Sequence, residues 1–141
     1  MSCQKLFAKI DELYEEYLSV WVEVCNIESP TSYKKGVDEV GAYFIKLANK
    51  FGWKVEVLEQ KVSGNPICIT MNENAKKPPI AISGHMDTVH SIGSFSSPLV
   101  KIIDGNIILG VERYVKLLHE TASFFAVSLT AYSKYFIIVS R

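Results

Sequence analysis

The chain has 141 residues, with 48% hydrophobic and 21% charged residues, and this balance excludes intrinsic disorder and allows one domain with a sizeable core. Fifteen Lys and Arg offset fifteen Asp and Glu, so the formal net charge is zero and there is no basic footprint for nucleic acid. Three widely spaced cysteines, Cys3, Cys25 and Cys68, form neither a disulfide framework nor a paired-cysteine zinc site; reduced thiols in a cytoplasmic protein are expected.

In chain order, Leu6, Phe7, Ile10, Leu13, Tyr14, Tyr17, Leu18 and Trp21 recur at steps of three and four, which predicts an amphipathic helix. Lys5, Lys9, Asp11, Glu12, Glu15 and Glu16 interrupt it, so no signal-peptide core is expected. Ile27 to Ser32 reads as a loop around Ser29-Pro30. Val37, Val40, Phe44, Leu47, Ala48 and Phe51 mark a second helix, closed by Gly52 at the position of a C-cap glycine.

The period then changes to two. Trp53, Val55 and Val57 predict a strand, Ser63 to Pro66 a turn, and Ile67, Ile69 and Met71 a second strand paired with the first. The apolar run Ile80-Ala81-Ile82 is expected to be a buried central strand. Residues 91–98 form a Gly- and Ser-rich loop, and Val100 to Leu109 a hairpin around Asp104-Gly105.

After Gly110 the composition shifts. All eight Gly and all five Pro precede residue 111, whereas both Arg, Arg113 and Arg141, follow it. Residues 111–141 carry a helical pattern from Val111 to Leu129 and then the apolar run Tyr135 to Val139. We treat 1–110 and 111–141 as separate parts, the second an atypical tail compatible with a frameshift. Thr121 to Val139 contains three Ser, two Thr and Lys134, so no membrane span is expected there.

The segment that carries chemistry is Ser83-Gly84-His85-Met86-Asp87-Thr88-Val89. Residues two apart in extended backbone point to one side, so His85 and Asp87 project together from the end of a strand. Strand ends of this kind are where α/β sheets build sites. A neutral imidazole ligates zinc, and a carboxylate beside it fixes its tautomer. Taken alone, a His-x-Asp pair is weak, because such pairs also occur as surface or core polar residues. His90, three residues past Asp87, reads as an exposed loop histidine. Cys25 and Cys68 read as small packed hydrophobes, and Trp21 and Trp53 as core or domain-edge aromatics.

The run Ile80 to Val89, with Ile27-Glu28-Ser29-Pro30-Thr31 and the order of helices and hairpin before it, resembles the co-catalytic zinc metallopeptidase family of glutamate carboxypeptidase, aminoacylase, peptidase T and succinyl-diaminopimelate desuccinylase. The resemblance covers about residues 5–110. It implies an α/β fold, the N-terminal part of a mixed-sheet catalytic domain flanked by helices, with the lid or dimerisation domain absent from this chain. It implies a site of two zinc ions whose bridging water attacks an amide carbonyl, on small peptide or N-acyl amino acid substrates. His85 matches the histidine that binds one metal, and Asp87 the neighbouring catalytic carboxylate that orients it. A homodimer is compatible with the complete enzyme; no nucleic acid or membrane partner is implied.

The match ends at Gly110. The family's next motif, Gly-x-x-Asp-x-Lys-Gly-Gly, is replaced by Gly110-Val111-Glu112-Arg113-Tyr114-Val115-Lys116, and no Asp follows Asp104. The Glu-Glu pair and the later acidic and histidine ligands have no counterpart. Glu112, His119 and Glu120 lack the spacing to replace them on one helix face. The expectation is a truncated hydrolase that does not bind zinc stably and is inactive as this chain. The alternatives are a non-catalytic binding module or a subunit completed in trans.

Overall fold

The computed structural model describes residues 3–76, 78–94, 98–103, 106–109 and 135–139. They form two helices and six strands, α1 (Cys3–Cys25), α2 (Lys34–Lys50), β1 (Lys54–Val57), β2 (Ile67–Met71), β3 (Ile80–Gly84), β4 (Val100–Ile103), β5 (Asn106–Leu109) and β6 (Tyr135–Val139). The chain divides into two compact units, one of residues 1–26 and 95–130, the other of 27–94 and 131–141. No helix among the described residues is long and apolar enough to cross a membrane.

In the first unit, α1 runs to Cys25, just short of the expected loop at Ile27, and its described buried residues, Trp21, Val24 and Cys25, lie at its C-terminal end. Trp21, Cys25 and Val100 form a core cluster with Leu18, Val22 and Leu99 packed against it. Nearer the start, Phe7 is 62% and Tyr14 55% exposed. Burial pushes the Cys25 thiol up to about 12, in keeping with a packed, unreactive side chain. Asn26 joins the helix to the hairpin. Its Nδ2 donates to Val22 O at 2.8 Å and to Val100 O at 2.9 Å, while its Oδ1 accepts from Val100 N at 3.0 Å. One side-chain amide thus serves both backbone groups of Val100, as a neighbouring strand would. The hairpin pairs Val100 with Leu109 and Ile103 with Asn106, as expected around Asp104-Gly105.

In the second unit, α2 buries Gly36, Val37, Val40, Gly41, Phe44 and Ala48 and packs on β1 and β2. The 3.6-residue period puts these positions on one face. Gly52 ends the helix with φ +68, where an L side chain would be strained. The cap is completed by Trp53 N to Ala48 O at 3.0 Å and Gly52 N to Asn49 O at 3.1 Å. The turn at 63–66 is tied to the start of α2. Asp38 Oδ1 accepts from Asn65 N at 2.7 Å, and its Oδ2 meets Lys34 Nζ at 2.9 Å. Lys34 Nζ also donates to Ser63 O and Asn65 Oδ1.

The four-stranded sheet has the order β1-β2-β6-β3. β1 and β2 pair antiparallel as expected, Lys54 opposite Thr70 and Val57 opposite Ile67. β6 lies antiparallel to β2 and parallel to β3. The apolar run Tyr135 to Val139 is therefore a strand inside the sheet; the helical pattern of 111–129 lies outside the described residues. The expectation for Ile80 to Ile82 is corrected. β3 is an edge strand with a ladder to β6 alone among the described residues, and Ile80 is 51% exposed. A three-residue apolar run does not distinguish a central strand from an edge strand, because its pairing partners lie elsewhere in the chain.

Two predictions follow from these ties. Asn26→Ala strands both backbone groups of Val100, so urea unfolding is expected to show a loss of about 2 kcal/mol. Burial alone would raise the Asp38 carboxyl, but the Asn65 N–H and the Lys34 ammonium hold it below its ordinary value. Its contribution is therefore full above the unfolded-state value of about 4 and is lost as pH falls through the lower folded-state value. Asp38→Asn is expected to flatten the acid limb of a stability-against-pH curve.

Candidate functional site

β3 ends at Gly84, and the next four residues leave the sheet. A backbone that leaves a ladder needs other partners. Here the loop of residues 27–31 supplies them. Thr88 N donates to Ser29 O at 2.8 Å, Thr31 N donates to Thr88 O at 3.0 Å, and Pro30 and Thr88 form an isolated parallel bridge. The buried Ser29 hydroxyl donates to Met86 O at 2.9 Å. Together these clamp the Ser-Pro-Thr loop onto the His-Met-Asp-Thr segment.

The clamp sits on α2. Met86 is buried and packs over Gly41, its Cε 3.6 Å from where a Cβ would stand. A Cβ on Gly36 would collide with the Glu28 carbonyl, so only glycine lets the loop approach the helix this closely. Glu28 also reaches forward, its Oε1 accepting from Gly93 N at 2.7 Å.

The two residues expected to act together do meet. Asp87 is 7% exposed, whereas the His85 side chain is 45% exposed. His85 Nδ1 lies 2.8 Å from the Asp87 backbone carbonyl and 3.2 Å from Asp87 Oδ1. Both neighbours are acceptors when the carboxylate is ionised, so Nδ1 carries the proton and the neutral ring keeps its lone pair on Nε2. That is the tautomer in which Nε2 ligates a metal. The second carboxylate oxygen, Oδ2, accepts from Thr31 Oγ1 at 2.6 Å. Oδ1 is buried and makes no hydrogen bond, its contact with Nδ1 lying outside hydrogen-bond geometry.

The pair offers one outward-facing imidazole donor beside a buried carboxylate. Among the described residues no group of three His, Cys, Asp or Glu side chains is placed to hold a metal ion. These residues do not by themselves make the two-metal centre that the family resemblance implies. His90 is half-buried rather than exposed, on a stretch drawn in by the Glu28 to Gly93 bond and the turn from Ser91 to Ser94. Thr31, Ser29 and Glu28 received no role from the sequence. Two hydroxyl residues flanking Pro30, ahead of a helix, were the available signal.

No family model matches the sequence, and no curated protein matches it. The fold has solved counterparts, and all of them named here are peptidases. Human carnosine dipeptidase 1 superposes with a TM-score of 0.69 at 16% identity, over 97% of this chain and 34% of that one. The dipeptidase Dug1p of Saccharomyces cerevisiae gives 0.70 at 14% identity, over 99% of this chain and 34% of that one. Aminopeptidase PepT of Bacillus cereus gives 0.57 at 18% identity, over 89% and 36%. The chain spans about a third of the length of these proteins. Its mixed α/β fold is thus that of part of a peptidase catalytic domain, and peptidase T, named on the motif at Ile80 to Val89, is among the proteins that share it.

The clamp yields a direct test. Ser29→Ala leaves the Met86 carbonyl without its donor, and a loss of about 1–2 kcal/mol is expected in urea unfolding.

Proposed function

We propose that this chain carries the first metal-ligand segment of a zinc-dependent hydrolase acting on the C–N bond of a small peptide or an N-acyl amino acid. His85 would present Nε2 as one ligand, and Asp87 would hold the ring in the tautomer that allows it. The carrying observation is the His85–Asp87 pair itself, at the carboxyl end of β3, with Nδ1 2.8 Å from the Asp87 carbonyl and 3.2 Å from Oδ1. The peptidases of like fold support the reaction class. When bound, the metal pair would activate water for attack on the amide carbonyl.

We further propose that the 141-residue chain is inactive alone and does not hold zinc stably. One imidazole is far short of the three or four protein ligands that fix zinc. Residues 1–110 form the peptidase part in this reading, 111–141 come from a shifted reading frame, and the parent enzyme is cytoplasmic. A second reading, a non-catalytic module made of the whole chain, is favoured by one observation. β6 enters the sheet between β2 and β3, so the tail contributes to the fold.

The coding DNA separates the two. Translating the other frames beyond codon 110 is expected to restore an Asp-x-Lys-Gly-Gly motif and a later Glu-Glu pair. If neither frame does so, the truncated-hydrolase reading is overturned and the module reading stands. For the purified chain, dipeptides and N-acyl amino acids with added zinc are expected to turn over at the background rate. Hydrolysis above background that His85→Ala abolishes would overturn the inactivity.

A further inference from the structure

We infer that Thr31 is a positioning residue of the site: its hydroxyl fixes the direction of the Asp87 carboxylate and so leaves the His85 Nδ1–H on the Asp87 carbonyl. The inference rests on the reading of His85 and Asp87 as site residues.

Asp87 Oδ1 lies 3.2 Å from a ring N–H and yet makes no hydrogen bond, although it is buried. A charge-assisted N–H to carboxylate bond closes to about 2.7–2.9 Å when nothing opposes it, and a buried acceptor left unsatisfied is costly. A carboxylate free to turn about its Cβ–Cγ bond would therefore close onto Nδ1. Something holds it back. Among the described residues, the side chain that donates to this carboxylate is Thr31, at 2.6 Å to Oδ2. Its hydroxyl has a second acceptor, Thr88 O, only at 3.3 Å, so the single proton goes to Asp87.

Thr31 is itself held from both sides. Its own N–H is committed to Thr88 O, and Ser29, two residues earlier, accepts from Thr88 N and donates to Met86 O. Thr31 and Asp87 are 56 residues apart in sequence, so this bond joins two separate loops at the one carboxylate of the site. The consequence is a division between the two oxygens. Oδ2 is spent on Thr31, and Oδ1 stays beside the imidazole without taking its proton.

The test uses the full 141-residue chain without metal, labelled for histidine nitrogen and aspartate carboxyl signals, at a pH where the ring is neutral. Wild type is expected to show His85 as a single Nδ1–H tautomer. In Thr31→Val, which keeps the shape and removes the donor, the carboxylate turns onto the ring. The Nδ1 proton then moves downfield and the Asp87 Cγ resonance moves with it. Thr31→Ser keeps the donor and is expected to give wild-type shifts.

A folded Thr31→Val chain with both signals unmoved would overturn the inference. So would a Thr31→Ser chain shifted as far as Thr31→Val, which would place the effect in packing of the methyl group. Should Thr31→Val fail to fold, the wild-type Thr31 hydroxyl proton decides. A resonance protected from exchange supports the inference, and exchange at the free-solvent rate overturns it. The metal-ligand role is read separately, from the coding DNA beyond codon 110. No restored ligand motif in either other frame would remove that role and leave the Thr31 result as it stands.

Discussion

The structure around the candidate site depends on the clamp between Ser29–Thr31 and Met86–Thr88. Beyond Gly84 the backbone has left its ladder, and the partners of the next residues come from a loop 57 residues earlier in the chain. Each net hydrogen bond is worth about 1 kcal/mol, so the clamp contributes a few kcal/mol, a large fraction of a domain's stability. Opening it would also free Met86 from α2 and expose Asp87. Burial of the carboxylate and direction of the imidazole are thus consequences of one set of bonds.

Those bonds form because α2 allows one approach that only glycine admits: a Cβ on Gly36 would collide with the Glu28 carbonyl. Gly41, five residues on along the same buried face, takes the Met86 thioether at ordinary van der Waals distance. A single helix therefore positions both loops, one from each end of the intervening sequence. The cost of glycine at position 36, roughly 0.5–1 kcal/mol, is small beside what the clamp and the buried α2 face contribute.

What was legible in the sequence had a local cause. The stripe of Val37, Val40, Phe44 and Ala48 is set by the 3.6-residue period, and Gly52 by the left-handed turn its φ of +68 requires. The β1–β2 pairing follows from alternation in two runs that are near neighbours in sequence, joined by residues 58–66. His85 and Asp87 were found together because their pairing is also local, two residues apart. What was missed is non-local. The edge position of β3, the entry of β6 between β2 and β3, and the Pro30–Thr88 bridge each join segments that no window of periodicity spans. Thr31 was quoted as part of a recognisable loop, but its partner became visible only once the fold brought residue 87 beside it.

The contrast between the two site residues bears on what such a segment does on its own. His85 is 45% exposed and Asp87 7% exposed, so the donor faces outward while the group that orients it is built into the core. The Asp87 carboxylate, its Thr31 hydroxyl partner and the clamp all lie within one compact unit. The direction of the His85 ring is then settled by folding. On the proposed metal-ligand reading, ligand number is not. Affinity for zinc grows with the count of donors converging on one point, and a single well-aimed imidazole does not substitute for the others. Orientation is a local property that a short segment can carry. Coordination is a property of the several segments that meet at the metal.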